Sequence, residues 1–168
     1  LLEGDLNIGN YMYQYLGKNL DFENFSKNNF NNSLKIKNTH VYYDDGIEVN
    51  YDKLNNEIMI TQKIVGTKIV FLNGELNETK IFYKGEAINQ SNKVEKFENV
   101  SLDYSSTDIS GLTGCLTFAN LILRKIHVEA LGSSCEDTVN FINVSGDIEN
   151  VVIKDSYRNI YKINSVFA

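Results

Sequence analysis

The sequence predicts an all-β protein, and three observations support this fold class. From residue 34 onward, short runs place apolar residues at i and i+2, which is the spacing of a half-buried strand. Pairs typical of tight turns, such as Asp45-Gly46 and Asn73-Gly74, separate these runs. No ten-residue stretch after residue 34 shows a convincing 3.6-residue period, so helices are not expected in that part of the chain.

The first 33 residues differ from the rest and are interpreted as an N-terminal cap or lid, helical or loop-like. Aromatic and apolar side chains recur every four residues between Asn10 and Asn19, which predicts a short amphipathic helix. The following stretch 24–33, with the sequence NFSKNNFNNS, is polar and rich in Asn, and it is predicted to be a loop.

Ten segments are predicted to be strands because each alternates apolar residues with other residues. In chain order they cover residues 34–36, 41–43, 47–49, 58–60, 69–71, 81–83, 116–118, 126–128, 139–141 and 151–153. Asn73-Gly74 and Leu54-Asn55-Asn56 are predicted to close hairpins between such strands.

The spacing of the strands leaves two architectures open. Apolar residues of successive strands are separated by 21 to 25 residues in two series: Ile36, Ile58, Ile81, Leu102, Ile126 and Val151 in one, and Ile47 to Ile69 and Leu116 to Val139 in the other. About this length makes one turn, or rung, of a right-handed parallel β-helix, a solenoid in which each strand pairs with its copies above and below. The hairpin signals instead favour an antiparallel β-sandwich or meander.

Three motifs add a family resemblance: GCLTF at 114–118, CEDTVNFIN at 135–143 and GDI at 146–148. With them, the segment 111–157 resembles bacterial right-handed parallel β-helix proteins of the pectate-lyase-like superfamily, of the kind sometimes joined to a spore-coat-H-type kinase-like domain. The resemblance covers less than a third of the chain. It implies β-helix rungs over residues 34–168 behind the N-terminal cap, with the antiparallel β-sandwich as the alternative.

The C-terminal end departs from the pattern of those proteins. They usually continue with an acidic turn, which is missing at residues 155–158, and the final residues 165–168 are mostly apolar. We therefore expect the chain to be truncated within a longer protein. An uncapped last rung would also permit end-to-end association through its unpaired edge.

Charge and hydropathy exclude two classes of function. The net charge is −6 and the pI is near 4.9, which argues against a nucleic-acid-binding surface, because contact with phosphates needs clustered Lys and Arg. No run approaches the ~18 consecutive apolar residues of a membrane-spanning helix, so a membrane span is not expected.

Cys115 and Cys135 are the only cysteines, and two thiols cannot form a zinc site alone. Stacked strands lie ~4.8 Å apart and a disulfide joins Cα atoms about 4.4–6.8 Å apart, so equivalent positions on neighbouring rungs could be bonded. Two buried thiols in the core are the alternative. A bond would indicate an oxidising compartment, and we expect an extracellular or cell-envelope protein.

Glu136 and Asp137 follow Cys135 directly and are candidates for metal binding or catalysis. Carboxylates stacked at a corner could hold Ca²⁺, or share a proton and act as acid or base, with Arg124 or His127 as the neighbouring basic group. Solvated turn residues without such a role are the simpler interpretation, so no cofactor is expected apart from this Ca²⁺.

Tyrosines that alternate outward along their strands are candidates for binding: Tyr42, Tyr83, Tyr104 and Tyr157. Exposed rings can stack on sugar faces while Asn and Asp side chains bond hydroxyl groups; the alternative is that many of these rings lie in the core. The predicted function is a noncatalytic β-helix scaffold segment of an envelope or secreted protein that binds a glycan or a protein partner. A polysaccharide lyase or epimerase-type carbohydrate-active enzyme is the alternative.

Overall fold

The computed structural model describes residues 22–85, 114–133, 135, 137–156 and 159–167. Within these ranges the elements are α1 (Phe22–Asn29), β1 (Asn32–Ile36), β2 (Thr39–Tyr43), β3 (Ile47–Asp52), β4 (Glu57–Gln62), β5 (Ile69–Asn77), β6 (Lys80–Gly85), β7 (Gly114–Ser133), β8 (Asp137–Ser156) and β9 (Asn159–Phe167). All ten predicted strand segments lie in strands, so the all-β class is confirmed. None of the described helices is long and apolar enough to cross a membrane.

Helix α1 lies where a loop was expected. The stretch 24–33 holds most of α1 and the start of β1, so the loop prediction was wrong. Ser26 and Phe30, four residues apart, are both buried, and Phe30 packs in a cluster that includes Leu72 of β5. Burial of one side of a helix against a sheet stabilises it despite a polar composition. The helix predicted over 10–19 lies outside the described residues.

Three strand pairs are antiparallel: β1 with β2, β2 with β5, and β3 with β4. The turn after Asp52 closes the β3–β4 hairpin, as predicted. The Asp52 carboxylate accepts hydrogen bonds from the backbone N–H groups of Leu54 and Asn55, at 3.0 and 3.2 Å. The hairpin predicted at Asn73-Gly74 was wrong, because both residues lie inside β5 with φ values of 56° and 129° and bend the strand.

The other strand pairs are parallel, and several join residues 22 or 23 positions apart. Ile58 lies opposite Ile81 and Leu116 opposite Val139, as expected from the spacing. In contrast, β5 and β6 both pair with β7 at a separation of 47 residues. The sheet is therefore mixed rather than purely parallel or purely antiparallel.

The first predicted pairing in each apolar series, Ile36 with Ile58 and Ile47 with Ile69, was wrong. Ile36 pairs with Thr39 and Ile47 pairs with Gln62, each inside an antiparallel hairpin. At the other end of the first series, Ile126 was expected to lie opposite Val151 but lies opposite Ile148. The register between β7 and β8 shifts around Ile126, and Val151 instead lies opposite Val128. Closing a short hairpin turn costs less conformational entropy than closing a loop of about 22 residues, so pairing between neighbouring segments is favoured.

The strand order is β1-β2-β5-β7-β6-β4-β3, with β8 on the other edge of β7 and β9 on β8. The long strand β7 pairs with β5 through its first half and with β6 through its second half. In the core, the rings of Phe71, Phe118 and Phe141 stack on one another, with centroids 5.2 and 5.3 Å apart. Such ring pairs add about 0.5–1.5 kcal/mol each beyond the apolar area they bury.

Asparagines at strand bends align across β5, β7 and β8. Asn73, Asn120 and Asn143 have φ values of 56°, 54° and 52°, and they occupy corresponding places in the parallel register. The side-chain amide of Asn143 donates to Oδ1 of Asn120 at 2.7 Å. Asn tolerates this left-handed backbone better than most residues, so the abundance of Asn has a structural use here.

The structure joins Cys115 and Cys135 in a disulfide, with their Cα atoms 5.4 Å apart. The two residues are not equivalent in register, because Asp137 rather than Cys135 lies opposite Gly114. The bond therefore links the start of β7 to Cys135, which precedes β8, so the loop that it closes contains nearly all of β7.

Candidate functional site

Asp137 does not lie close to Arg124 or His127, the basic residues predicted to act with it. Asp137 is buried at the start of β8, opposite Gly114 at the start of β7. Arg124 and His127 lie in the second half of β7, beyond its bend. The side chain of Glu136 lies outside the described residues. Within the described part of the chain, no three His, Cys, Asp or Glu side chains form a group that could hold a metal ion.

Arg124 and His127 have other partners. Nε of Arg124 donates to Oε2 of Glu75 at 2.9 Å, and Nε2 of His127 lies 3.3 Å from Oε2 of Glu129. His127 projects from the sheet between two buried neighbours, as strand alternation predicted. An exposed ion pair such as that between Arg124 and Glu75 contributes roughly 0–1 kcal/mol.

Two of the four tyrosines expected to be exposed are buried, so the expectation was wrong for them. Tyr83 is 2% exposed and faces the core on the same side of β6 as Ile81, with which it alternates. Its hydroxyl has no hydrogen-bond partner among the described residues, and burial raises the pKa of Tyr83. Tyr42 is 5% exposed, because it packs beside Phe30 on the face that α1 borders. Tyr104 and Tyr157 lie outside the described residues.

An open cleft of about 460 Å³ contains residues from both ends of the strand order, β1 and β3. Its volume is within the range of about 300–1,000 Å³ that small-ligand sites occupy. The cleft is lined by Asn32, Tyr43, Asp45, Gly46, Ile47, Glu48, Val49, Asn50, Met59 and Thr61.

The β3–β4 hairpin supplies one wall of the cleft. Glu48 lies opposite Thr61 and Asn50 opposite Met59 in the antiparallel register, so these four side chains share one face. The alternate residues, among them Ile60, turn to the core. Met59 is 50% exposed, so this wall offers an apolar patch beside polar groups.

Asp45 projects from the turn between β2 and β3, and its carboxylate is held by two amides. Nδ2 of Asn32 donates to Oδ1 at 2.9 Å, and Nδ2 of Asn31 donates to Oδ2 at 3.0 Å. These hydrogen bonds, that from Asn32 foremost, lower the pKa of Asp45. Asn32 also donates to the carbonyl oxygen of Tyr43 at 3.3 Å. The site thus carries an exposed carboxylate that is ionised at neutral pH and fixed in orientation.

The turn that carries Asp45 is anchored on both sides. The backbone N–H of Asp44 donates to the carbonyl oxygen of Lys68 at 3.0 Å, and the N–H of Lys68 donates back to Oδ2 of Asp44 at 2.8 Å. Burial raises the pKa of Asp44. Gly46 has a φ of 93°, and a Cβ there would lie 2.7 Å from side-chain carbons of Ile64. Only glycine fits this position without strain.

Sequence reasoning recognised Asp45-Gly46 as a turn but missed its side chain as a site residue. Asn31 and Asn32 are 14 and 13 residues away from Asp45 along the chain, and their approach depends on the β1–β2 hairpin. The available signal was the Asn pair itself, whose amides suit a carboxylate partner.

No family model, curated protein or solved structure matches the chain. The resemblance to the pectate-lyase-like superfamily therefore rests on its sequence motifs alone and stays a prediction.

Proposed function

We propose that the chain is a noncatalytic β-helix scaffold segment that binds a glycan in the cleft beside Asp45. The β-helix is supported by the parallel register of β4 with β6, β7 with β8 and β8 with β9, each joining residues 22 or 23 positions apart. The stacking of Phe118 on Phe141 and the contact of Asn120 with Asn143 also fit a coil in which equivalent residues of successive turns touch. A right-handed coil is proposed because parallel crossover connections have this hand in about 98% of cases.

The antiparallel hairpins of β1 to β4 fit this proposal as the structure that covers one end of the coil. Parallel rungs leave unpaired strand edges and an open core at each end, which other elements must cover. The disulfide between Cys115 and Cys135 supports placement in an oxidising compartment, such as the cell envelope or the extracellular space.

The proposal of a sugar as the ligand depends mainly on the carboxylate of Asp45. A sugar presents hydroxyl groups at its edge and C–H groups on its faces. Asp45, Asn32 and Thr61 offer acceptors and donors to hydroxyl groups, while the half-buried Tyr43 and the exposed Met59 offer apolar contact. A preformed cleft with few polar groups around an apolar patch is typical of small-ligand sites.

Binding is proposed rather than catalysis because both cleft carboxylates are engaged as ions. The lowered pKa of Asp45 makes it a poor general acid near neutral pH. Glu48 forms an ion pair with Lys63, in which Oε2 of Glu48 lies 2.7 Å from Nζ of Lys63. Lys63 is not among the residues that line the cleft.

Titration of the purified chain with neutral oligosaccharides tests the proposal. Asp45→Ala is expected to weaken binding about tenfold, since it removes a charged hydrogen-bond acceptor from the cleft. Asp52→Ala is the matched control, because Asp52 is an equally exposed turn carboxylate with an Asn partner but lies outside the cleft. Absence of binding by the wild-type chain, or equal losses in both variants, would contradict the proposal.

A protein partner is the second candidate, favoured by apolar side chains on the outer face of the sheet. Met59 and Leu131 are 50% and 43% exposed, and the half-buried Phe82 lies opposite Met59 in register. Clustered exposed apolar residues often mark interaction surfaces. Quantitative cross-linking in a native extract, compared between the wild-type chain and Met59→Lys, tests this candidate; identical cross-links would contradict it.

A further inference from the structure

The charges that face the cleft are of one sign. Among the described residues that line it, the ionisable side chains that are charged at neutral pH are Asp45 and Glu48, and Lys, Arg and His are absent. Glu48 has a cationic partner in Lys63. The hydrogen-bond partners of Asp45 are the neutral amides of Asn31 and Asn32. The carboxylate of Asp45 therefore keeps its charge without a salt-bridge partner.

The two amides orient this carboxylate without using its full bonding capacity. A carboxylate offers about four lone-pair positions, of which Asn31 and Asn32 each occupy one. About two remain for donors of a ligand. Two adjacent hydroxyl groups, or one ammonium group, can supply those donors, whereas a carboxylate on the ligand supplies none and is repelled.

We infer that Asp45 is a specificity-determining residue that selects neutral sugars and amino sugars against sugars that carry a carboxylate. This inference rests on the proposed function and adds the chemical class of its ligand. At a separation of about 4 Å in a solvent-exposed site, repulsion between two carboxylates corresponds to a preference of roughly fivefold at low ionic strength. Salt screens exposed charges, so the preference decreases as ionic strength rises.

Three oligosaccharides of equal length, built from a hexose, a 2-amino hexose and a hexuronic acid, test the inference by calorimetric titration. The wild-type chain is expected to bind the neutral and amino forms about fivefold more tightly than the uronic form at low ionic strength. Asp45→Asn keeps the shape of the side chain but removes its charge, so the neutral-to-uronic ratio should fall toward one. Asp52→Asn should leave the ratio unchanged.

The outcomes separate this inference from the proposed function. If the wild-type chain binds the neutral and uronic forms within twofold of each other, or prefers the uronic form, the inference is overturned while glycan binding stands. An unchanged ratio in Asp45→Asn overturns it as well. If the wild-type chain binds none of the three, the proposed function fails together with the inference. Thermal unfolding of each variant verifies that it is folded.

Discussion

Removal of the Cys115–Cys135 disulfide is expected to cost about 3 kcal/mol of unfolding free energy. The bond joins residues 20 positions apart. In the chain-entropy description, a disulfide that closes a 15-residue loop contributes about 3 kcal/mol and one that closes 100 residues about 4.7 kcal/mol, so this loop lies near the lower value. For a domain of this size, the loss corresponds to a decrease in Tm of roughly 6–12 °C.

The variant for this test is Cys115→Ala with Cys135→Ala. The buried side-chain amide of Gln62 donates to the carbonyl oxygen of Thr67 at 2.9 Å as well as lying 3.4 Å from Sγ of Cys115, so it keeps a partner after the sulfur is removed. The substitution therefore changes the covalent constraint without leaving that amide unsatisfied.

Urea unfolding followed by far-ultraviolet circular dichroism measures the loss. The oxidised wild-type chain should be the most stable, while the reduced wild-type chain and the double variant should agree with each other. Dithiothreitol should lower the stability of the wild-type chain and leave the double variant unaffected. A loss below about 1 kcal/mol would refute the loop-closure reasoning for this bond, and so would equal sensitivity of both proteins to the reductant.

Three further predictions concern two side chains of the core and the effect of pH on stability. Tyr83→Phe should raise the free energy of unfolding by about 1 kcal/mol, because the buried hydroxyl lacks a partner among the described residues. Phe118→Ala should lower it by about 3–5 kcal/mol, because Phe118 is the middle ring of the stack. Urea unfolding measures both. Asp52 has a lowered pKa, chiefly because the Asn55 side chain bonds it. The ionised carboxylate of Asp52 therefore stabilises the folded state above its ordinary pKa, and this stabilisation is lost as the pH falls through the lowered pKa. Asp52→Asn should accordingly flatten the decrease in Tm between about pH 5 and pH 2.

Each of these predictions has a control or a contradicting result. Tyr51→Phe should lower stability, because the hydroxyl of Tyr51 donates to Oδ1 of Asn56 at 3.2 Å; a loss of the same size in Tyr83→Phe would contradict the argument from its unpaired hydroxyl. Phe118→Leu should cost less than Phe118→Ala, because it leaves a smaller cavity in the core, and equal costs would contradict this argument. An unaltered pH profile in Asp52→Asn would show that its amide contacts do not stabilise the ion.

The strands were predictable because strand alternation is a local property. Ile58 and Ile60 alternate with Met59, and the structure buries the first two and exposes the third. Pairing was less predictable, since spacing identified Ile81 as the partner of Ile58 but misassigned Ile36. Many apolar residues satisfy a spacing of about 22, and only loop closure and packing decide which of them meet.

The candidate site was less predictable than the fold. The Asp45-Gly46 pair signals a turn, but nothing nearby in the sequence indicates that two distant amides hold the carboxylate of Asp45. Likewise, Tyr42 and Tyr43 look equivalent as strand residues. The structure buries Tyr42 in the cluster with Phe30 and leaves Tyr43 half-buried at the cleft.

By itself, the sequence determined where the chain is extended and where several of its turns lie, because alternation and turn chemistry act over a few residues. Only the tertiary structure decided that the strand order begins at β1 and ends at β3, that both strands border one cleft, and that Asp45 stands in it beside neutral amides. Those features arise from contacts between residues far apart along the chain, whose energies depend on which segments pack together and on how completely water is excluded between them.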